Sequence, residues 1–357
     1  MRDIAAFCVS ADATIGDVIE RIDANQNGIA LMVDADRKLV ATITDGDIRR
    51  AFMKHFALDR HIADILDDIK DRRYLKPVSA PAGVAREELL ALMEDKSVRH
   101  IPLLDGNGRV VDIALRREIY KEEATDLQAV VMAGGFGTRL RPLTEDTPKP
   151  MLPVGDKPLM EHMIGQIRDA GIQKVHVTTH FLPEKITSHF GDGAAFGIDL
   201  NYVPETQPLG TAGALRLVKD RSQPLLIVNG DILTNVDFRA MREFHSEHEA
   251  KATIAATAYE VKIPYGVLDA PDGVVGCLVE KPSYTYFVNA GIYIIEADII
   301  DLIPENTRFD MTDLMSLLIK QGSKVVSFPI REYWLDIGRP EDFARAQRDI
   351  QQGVFLR

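Results

Sequence analysis

A run of apolar residues that ends in two glycines is the feature that most limits how this chain can fold. Residues 129–135 read AVVMAGG. Such a strand must be covered on both faces, as the strands of parallel sheets are. Further strands are predicted at 175–180, 224–231, 252–260 and 291–297. Helical stretches such as 158–170 and 238–249 lie between several of them. This alternation predicts an α/β, Rossmann-like, mostly parallel open sheet whose sites lie at the carboxyl ends of strands.

The first third of the chain contains an internal repeat. The segment VDADRKLVATITDGDI, which starts at Val33, aligns with LDGNGRVVDIALRREI, which starts at Leu104. Each copy has an Asp-rich turn, an alternating strand and a charged helix start, and an apolar helix pattern precedes it. We therefore predict one compact domain over 1–121, with repeats at about 1–60 and 61–121. The linker is placed at 122–126, and the second domain over 127–357.

The composition limits the partners of this chain. It has 42 Lys and Arg against 54 Asp and Glu, a formal net charge of −12. An acidic surface argues against binding to nucleic acid or to an anionic membrane. No apolar run is long enough for a transmembrane helix, and the first residues lack a secretory signal. Because Cys8 and Cys277 are the only cysteines, a reducing compartment fits, and we expect a cytoplasmic protein.

A glycine-rich loop with cationic followers is the strongest candidate for a binding site. Its residues are Gly134, Gly135, Gly137 and Thr138, followed by the cations Arg139, Arg141 and Lys149. Backbone N–H groups at such glycines can close on phosphate oxygens, and the cations would neutralise a triphosphate. The spacing matches neither the Walker A pattern nor the dinucleotide fingerprint. These residues alone therefore leave two readings open, a tight turn and a phosphate site.

The longer string GGFGTRLRPLTEDTPKP, from Gly134 to Pro150, resembles the nucleotide-binding loop of the sugar-1-phosphate nucleotidyltransferases. The resemblance continues to about residue 345. Its further motifs are PLGTAGAL at 208–215, NGD at 229–231, EKP at 280–282, NAGIY at 289–293 and WLDIG at 334–338. Taken singly, each could be a helix cap or a solvated turn, but five motifs in the family's order favour the family. The resemblance implies Mg²⁺-dependent transfer of a nucleoside monophosphate from a nucleoside triphosphate to a sugar 1-phosphate.

The resemblance also implies a role for individual residues. The catalytic residues would be Arg139, Lys149 and Asp231, and the Mg²⁺ ligands would be Asp231 and Asp336. The nucleotide would be held by Gly134, Gly135, Gly137, Thr138, Gly210 and Thr211. The sugar phosphate would be held by Tyr265, Gly266, Glu280, Lys281 and Asn289. No general base is needed, because the attacking phosphate is already ionised. We therefore expect His176, His180 and His245 to serve packing or to lie at the surface.

The same resemblance implies that the nucleobase is read by Glu205, five residues before Gly210. Guanine presents two adjacent donors, N1–H and the N2 amino group, and a carboxylate accepts both at once. Uracil and thymine flank one donor with two acceptors, which suits an amide. Gln207 would take that role if the register shifts by two residues. We predict GTP, with UTP, dTTP or CTP as the alternative.

The N-terminal repeat resembles a tandem of CBS modules, which often bind adenine nucleotides. In ITDGDIRR, at 43–50, Thr44 and Asp47 match the residues that approach phosphate and ribose. The second copy has Leu115 and Glu118 there, so at most one ordinary nucleotide site is expected. A scaffold or dimerisation module, with Asp47 as a helix cap, remains open.

The chain as a whole resembles CBS-fused guanylyltransferases of surface-sugar biosynthesis, and we expect a homo-oligomer. One rival is a non-catalytic sensor of nucleotide sugars, which could have lost Arg139, Lys149, Asp231 or Asp336, yet keeps all four. A second rival transfers a nucleotide to a molybdenum cofactor. It is disfavoured because that reaction has no need of the Glu-Lys-Pro and Asn-Ala-Gly elements.

Overall fold

The computed structural model describes residues 3–25, 27–69, 76–96, 98–119 and 125–355. The chain divides into two compact units, one that ends at residue 123 and one that begins at residue 124. Most of the predicted linker, 122–124, lies outside the described residues. No helix in the described ranges is long and apolar enough to cross a membrane.

The first unit contains two small sheets of three strands, each with helices beside it. Its strands are β1 (Cys8–Val9), β2 (Ile29–Val33), β3 (Leu39–Thr44), β4 (Ala80–Pro81), β5 (His100–Leu104) and β6 (Val110–Leu115). Its helices are α1 (Ile15–Asn25), α2 (Asp45–Met53), α3 (Leu66–Ile69), α4 (Arg86–Asp95) and α5 (Arg116–Ile119). Each sheet has one parallel pair followed by one antiparallel pair. The sequence repeat is therefore a structural repeat.

One core joins the two repeats of the first unit. Its buried members are Phe7, Ile29, Leu31, Val110, Ile113 and Leu115. Lys38 of the first repeat forms an antiparallel bridge with Arg109 of the second, so the Asp-rich turns meet. The strand β2 is apolar throughout because Ile29 and Leu31 face this shared core while Ala30 and Met32 face the core of their own repeat.

The second unit is built on a seven-stranded sheet in the order β11-β10-β7-β12-β17-β14-β18. Its strands are β7 (Gln128–Met132), β10 (Lys174–Thr179), β11 (Asp199–Pro204), β12 (Leu225–Asn229), β14 (Ala252–Lys262), β17 (Ser283–Ile295) and β18 (Val325–Ile330). Three two-stranded pieces are formed by β8 (Pro153–Val154) with β9 (Lys157–Pro158), β13 (Ile232–Thr234) with β19 (Trp334–Asp336), and β15 (Val267–Asp269) with β16 (Cys277–Val279). The strand β17 runs antiparallel to both of its neighbours, and the other described pairs of the sheet are parallel.

Helices cover both faces of this sheet. They are α6 (Leu159–Asp169), α7 (Pro183–Phe190), α8 (Gly210–Gly213), α9 (Phe238–Glu247), α10 (Met311–Lys320) and α11 (Pro340–Gln351). The helices α6, α7 and α9 pack in one core, while α8 and α10 pack in the core on the other face. This arrangement confirms the predicted α/β class with a mostly parallel sheet. It also explains why the strand at 129–135 is apolar without interruption.

The central strands end at one edge of the sheet. The last residues of β7, β10, β11 and β12 are Met132, Thr179, Pro204 and Asn229. These four strands are parallel, so the loops that follow them leave the sheet on the same side. The glycine-rich loop, Glu205 and Asp231 all belong to these loops. The fold therefore brings the predicted nucleotide residues to one edge.

Candidate active site

The glycine-rich loop begins where β7 and β12 are held close together. Gly230 donates its N–H to the carbonyl of Met132 at 2.9 Å. A Cβ on Gly230 would lie 2.8 Å from that carbonyl oxygen, which no side chain could tolerate. On the other side, Ala133 donates its N–H to the carbonyl of Thr178 at 3.2 Å. The loop after β7 therefore leaves the sheet from a fixed position.

Gly137 is the sharp turn of this loop. Its φ is 61°, in the left-handed region that favours glycine. Thr144 donates its hydroxyl to the Gly137 carbonyl at 2.8 Å and closes the loop from behind. Gly135 differs, because a Cβ there would meet no atom within 4 Å. Packing explains glycine at position 137 but not at 135, where the space beside the backbone is open.

Glu205 closes the loop from the side of β11. A Cβ on Gly134 would lie 2.5 Å from Oε1 of Glu205, so the carboxylate rests directly against the glycine. Oε2 of Glu205 accepts the N–H of Leu209 at 3.1 Å. Burial raises the pKa of Glu205, and its hydrogen bonds with Leu209 and Thr178 lower it in part. The Glu205 carboxylate is thus half-buried and fixed in orientation.

Gln207, the alternative reader of the base, lies elsewhere. Its side chain is exposed, and its Nε2 donates to the carbonyl of Asn306 at 3.2 Å. Of the two candidates, the structure brings Glu205 against the glycine-rich loop.

The second glycine loop is fastened to the start of α10. Gly210 has a φ of 79°, and a Cβ there would lie 2.5 Å from Oδ1 of Asp310. The same carboxylate oxygen accepts the N–H of Thr211 at 3.0 Å. The Thr211 hydroxyl accepts the N–H of Met311 at 2.9 Å. Gly210 was predicted to help hold the nucleotide, and in the structure the group that lies against it is the carboxylate of Asp310.

Asp310 was missed in the sequence analysis. The signal that could have found it is the pattern Asp310-x-x-Asp313 before an apolar helix. Both residues form a capping box at the start of α10. Asp310 therefore has two tasks, because it caps α10 and also holds the loop that contains Gly210 and Thr211.

Lys149 and Asp231 form a close ion pair at the strand edge. Nζ of Lys149 lies 2.5 Å from Oδ2 of Asp231. Lys149 is 8% exposed, so its charge is held inside the protein, where a lysine needs an anionic partner. Pro148 and Pro150 flank it in a short turn of 3-10 helix. The Thr-Pro-Lys-Pro segment thus places the buried ammonium group of Lys149 against Asp231, the last residue of the Asn-Gly-Asp motif.

A two-stranded ribbon brings the second acid to the first. In the pairing of β13 with β19, Ile232 lies opposite Asp336. Ile337 donates its N–H to the carbonyl of Asp231 at 3.0 Å. The pKa of Asp336 is raised, first by desolvation and then by the negative charge of Asp231. Two residues far apart in sequence are therefore electrostatic neighbours.

Arg139 lies beside the same acids. A Cβ on Gly338 would be 3.7 Å from Nη1 of Arg139 and 3.7 Å from both carboxylate oxygens of Asp336. The positive charges of Lys149 and Arg139 lower the pKa of Asp336, which opposes the increase caused by the negative charge of Asp231. The structure thus brings together the four residues Arg139, Lys149, Asp231 and Asp336.

The donor chemistry of Asp231 and Asp336 fits Mg²⁺. Both residues offer hard carboxylate oxygens, which Mg²⁺ prefers. Their negative charges repel each other, and a divalent cation between them would reduce that repulsion. In the described ranges no group of three or more His, Cys, Asp or Glu residues forms a closed metal cage. Mg²⁺ needs none, since it is commonly held by one or two carboxylates together with substrate phosphates and water.

The predicted sugar residues lie on an extension of the sheet. Beyond the sheet, β14 and β17 continue as a two-stranded ribbon, here called the aromatic ribbon, which comprises 258–262 and 283–287. Glu280 and Lys281 precede it, with their charged atoms 3.9 Å apart, and Lys281 is 69% exposed in its side chain. A Cβ on Gly266 would lie 3.1 Å from Oε2 of Glu280, and Tyr265 beside it is exposed.

Asn289 is held apart from those four residues. Its Nδ2 donates to the hydroxyl of Tyr293 at 2.7 Å, and its Oδ1 accepts the N–H of Gly291 at 3.0 Å. These contacts fix the amide where the aromatic ribbon joins the sheet. The structure therefore divides the predicted sugar residues into one exposed cluster and one anchored amide.

The three histidines that we expected in packing roles have protein partners. His176 hydrogen-bonds Gln128 at 3.0 Å, and burial lowers its pKa. His245 lies between Thr253, at 2.7 Å, and Glu296, at 3.1 Å, and burial lowers its pKa too. His180 contacts the carbonyl of Glu205 at 2.9 Å and so supports the backbone of that residue.

In the first unit, Thr44 and Asp47 form a capping box at the start of α2. Oδ2 of Asp47 accepts the N–H and the hydroxyl of Thr44, at 2.8 and 2.7 Å, and its Oδ1 pairs with Arg50 at 2.8 Å. Asp47 is only 5% exposed. Leu115 is buried in the core that joins the repeats, and the Glu118 side chain lies outside the described residues. A nucleotide role for Thr44 and Asp47 stays a prediction, and in this state both residues serve the helix cap.

Comparison with known proteins finds relatives that are similar to this chain over somewhat more than 60% of its length. A mannose-1-phosphate guanylyltransferase of Mycobacterium tuberculosis is 36% identical over 236 residues, which cover 64% of this chain and 66% of that one. A mannose-1-phosphate guanyltransferase of Kluyveromyces lactis is 34% identical over 229 residues, which cover 61% and 63%. The chain thus spans just under two thirds of the length of these relatives.

A solved structure from Bacillus anthracis, described as a candidate glucose-1-phosphate thymidylyltransferase, has the same fold with a TM-score of 0.51. It is 24% identical and covers 62% of this chain and 94% of that one. The CBS domain model matches residues 1–54 and 66–124, and the nucleotidyl transferase model matches residues 128–353. The chain belongs to the nucleotidyl transferase family and carries two CBS domains before its transferase domain.

Proposed function

We propose that this protein transfers GMP from GTP to a sugar 1-phosphate and releases pyrophosphate. The observation that carries the proposal is the meeting of Arg139, Lys149, Asp231 and Asp336 at the carboxyl ends of parallel strands. Relatives named mannose-1-phosphate guanylyltransferases support guanine as the base and a sugar 1-phosphate as the acceptor.

In this reaction an oxygen of the sugar 1-phosphate attacks the α-phosphorus of GTP. The bond from that phosphorus to the oxygen bridging the β-phosphorus breaks, and pyrophosphate leaves with the electron pair. A phosphate monoester has its second pKa near 6, so the attacking oxygen carries no proton at neutral pH. The protein has to align two anions and stabilise charge rather than move a proton. The packing roles of His176 and His245 are consistent with this.

The chain's own cations would act on the phosphates. Arg139, exposed beside Asp336, would bind the leaving pyrophosphate, together with N–H groups of the glycine-rich loop, Gly134 to Thr138. Lys149 would lie at the α-phosphate, because it is fixed beside Asp231. Asp231 and Asp336 would hold Mg²⁺, which supplies positive charge that offsets the carboxylates and the phosphates.

Base and sugar would be read by two separate groups of residues. Glu205 would accept the N1–H and the N2 amino group of guanine, since its carboxylate is already fixed by Leu209 and rests against Gly134. Lys281 would bind the phosphate of the sugar, and Glu280 and Asn289 would accept or donate hydrogen bonds to its hydroxyls. Tyr265 and Gly266 complete this proposed subsite.

We assign the CBS pair a regulatory or dimerising role within a homo-oligomer. Adenine nucleotide at Thr44 and Asp47 is the candidate regulator, and the capping box they form favours the scaffold alternative. We keep the domain division at 1–121, 122–126 and 127–357, which the unit boundary at residue 123 supports. A cytoplasmic location stays a prediction from the sequence.

A substrate panel tests the proposal. GTP, UTP, dTTP and CTP are each combined with the 1-phosphates of mannose, glucose, glucosamine and N-acetylglucosamine, and pyrophosphate release is measured with and without Mg²⁺. The proposal requires Mg²⁺-dependent release with GTP and at least one sugar. Faster release with UTP or dTTP would overturn the base assignment alone. Binding of nucleotide sugar without any release would instead favour a non-catalytic sensor.

A further inference from the structure

The backbone of Glu205 is held at both of its polar groups just beyond the end of the sheet. The strands β10 and β11 pair in parallel as far as Thr179 and Pro204. Beyond that pair, Glu205 donates its N–H to the carbonyl of Thr179 at 2.8 Å. The Glu205 carbonyl accepts a hydrogen bond from the imidazole of His180, whose Nδ1 lies 2.9 Å away. A side chain thus continues the hydrogen-bond ladder at the residue that we expect to read the base.

This contact requires a hydrogen on Nδ1 of His180. A carbonyl oxygen can only accept, so the imidazole nitrogen has to be the donor. Nδ1 carries a hydrogen in the charged imidazole and also in one of its neutral tautomers. The contact therefore depends on a donor bonded to Cγ, and it requires neither a charge on His180 nor a proton that is transferred.

His180 also contacts the glycine-rich loop. A Cβ on Gly134 would lie 3.4 Å from Cβ of His180. The ring of Phe136 meets the imidazole edge-on, with the ring centroids 5.3 Å apart and the planes at 90°. Aromatic rings prefer such T-shaped contacts to face-to-face stacking. His180 therefore lies between the loop that we expect to hold the triphosphate and the backbone of Glu205.

The position of the Glu205 backbone decides where its carboxylate lies. Oε1 rests against Gly134, and Oε2 accepts the N–H of Leu209 at 3.1 Å. Burial raises the pKa of Glu205, and the electrostatic effect of His180 is among the causes that lower it, so the imidazole is close to the carboxylate as well. Both contacts of the carboxylate require its backbone in one place. A shift of the Glu205 carbonyl would therefore turn the carboxylate away from the edge of the base.

We propose that His180 is a positioning residue for base selection, an inference that rests on the proposed role of Glu205. Its Nδ1–H fixes the Glu205 carbonyl, and the fixed backbone holds the carboxylate against Gly134 and Leu209. Phe136 acts through His180, because its ring packs against the imidazole. The imidazole takes no part in the transfer itself. Loss of its donor therefore weakens the choice of base.

The test uses variants that differ in the place of one N–H donor. His180→Asn keeps a donor bonded to Cγ, where the imidazole has Nδ1. His180→Gln carries the same amide one bond further from the backbone, and His180→Leu has no donor. We expect His180→Asn to behave like wild type and the other two variants to behave alike. If His180→Leu does not fold, the comparison of His180→Asn with His180→Gln still decides the outcome.

The first measurement compares GTP with inosine triphosphate, which lacks the N2 amino group of guanine. Because the two nucleotides differ only in that group, the ratio of their affinities reports its contact with Glu205. Calorimetry is done on the full chain with Mg²⁺ and without a sugar phosphate. The preference for GTP is expected to fall about fivefold to tenfold in His180→Leu and His180→Gln, and less in Phe136→Leu. Adding Phe136→Leu to His180→Leu is expected to lower it no further, because Phe136 acts through His180.

The second measurement is amide exchange of Leu209 without nucleotide. Its N–H is bound by Oε2 of Glu205 whichever base the protein selects. Exchange is expected to be about fivefold to tenfold faster in His180→Leu and His180→Gln. It is expected to stay at the wild-type rate in His180→Asn and in the control His189→Leu, which changes an exposed residue of α7.

These two measurements separate the positioning role from the proposed function. Wild-type exchange in both His180→Leu and His180→Gln would overturn the positioning role of His180. Equal acceleration in His180→Asn and His180→Gln would overturn it as well, since the place of the donor would then not matter. Equal affinities of the wild-type chain for GTP and inosine triphosphate would instead contradict the guanine assignment, and the exchange of Leu209 would still decide the role of His180.

Discussion

Oε1 of Glu205 occupies the space directly over Gly134, 2.5 Å from where a Cβ would lie. The residue that we expect to read the base and the loop that we expect to hold the triphosphate are therefore one packed unit. Any side chain at position 134 would therefore have to displace this carboxylate.

Gly134→Ala is expected to displace Glu205 and to weaken selection of guanine. The added methyl would force the carboxylate away from its hydrogen bond with Leu209. Poor hydrogen bonding between Glu205 and the edge of the guanine base would cost about 1–3 kcal/mol of binding energy. This cost would lower kcat/KM for GTP about tenfold to hundredfold. The matched control is Gly165→Ala, a glycine of α6 whose Cβ would meet no atom within 4 Å. A similar drop in both variants would mean that Glu205 has no special relation to the loop.

Glu205→Gln is expected to shift the preference from GTP toward UTP or dTTP. The amide keeps the size of the carboxylate but replaces one acceptor with a donor, which suits a base with two carbonyl oxygens. Gln207→Glu is the control, because that side chain lies on the surface against Asn306. The measurement is kcat/KM for the four triphosphates with one sugar phosphate. If Gln207→Glu changes the preference and Glu205→Gln does not, the register assigned to the base reader is wrong.

Asp336→Asn is expected to stabilise the metal-free protein while it impairs turnover. The raised pKa of Asp336 means that the folded state binds this proton more tightly than the unfolded chain. The ionised carboxylate therefore costs stability at neutral pH, and this cost disappears as the pH falls below the unfolded value of about 3.9. We expect a melting temperature about 1–3 °C above wild type at pH 7, with a difference that shrinks in acid.

Asp220→Asn provides a control of opposite sign for that experiment. The ion pair with Lys174, at 2.5 Å, lowers the pKa of Asp220. Its ionised form therefore stabilises the fold at neutral pH, and its removal should lower the melting temperature. Thermal scans of both variants from pH 4 to pH 8 make the comparison. A melting temperature of Asp336→Asn below that of wild type at pH 7 would contradict the electrostatic description of the site.

Much of the fold follows from local sequence. The apolar run at 129–132 and the helix at 159–169 were predicted within a residue or two, because they depend on periodicity and glycine placement. The direction of β17 was not predicted. Its residues 291–295 read as one more buried strand, and only its pairing with both β12 and β14 makes it antiparallel. Strand direction is set by the path of the connecting chain, which periodicity does not report.

The candidate site was also only partly predictable from the sequence. The motif order pointed to Lys149 and Asp231 singly, but their ion pair joins residues that are 82 positions apart in the chain. The contacts of Gly134 with Glu205 and of Thr211 with Asp310 also join distant segments. Sequence patterns could name the residues on each side of these contacts. The contacts themselves required the packing of the loops at the sheet edge.

The most direct test of the central claim is pyrophosphate release by Asp231→Asn beside wild type and Asp156→Asn, whose carboxylate lies in an exposed turn. GTP, a responsive sugar 1-phosphate and Mg²⁺ are present, and GTP binding is measured by calorimetry on the same samples. The proposed roles predict Mg²⁺-dependent release by wild type and by Asp156→Asn. They also predict that release by Asp231→Asn falls at least about a hundredfold, equivalent to about 2.7 kcal/mol, while its fold survives. Release at the wild-type rate by Asp231→Asn, or none by wild type with any sugar phosphate despite tight GTP binding, would contradict the account.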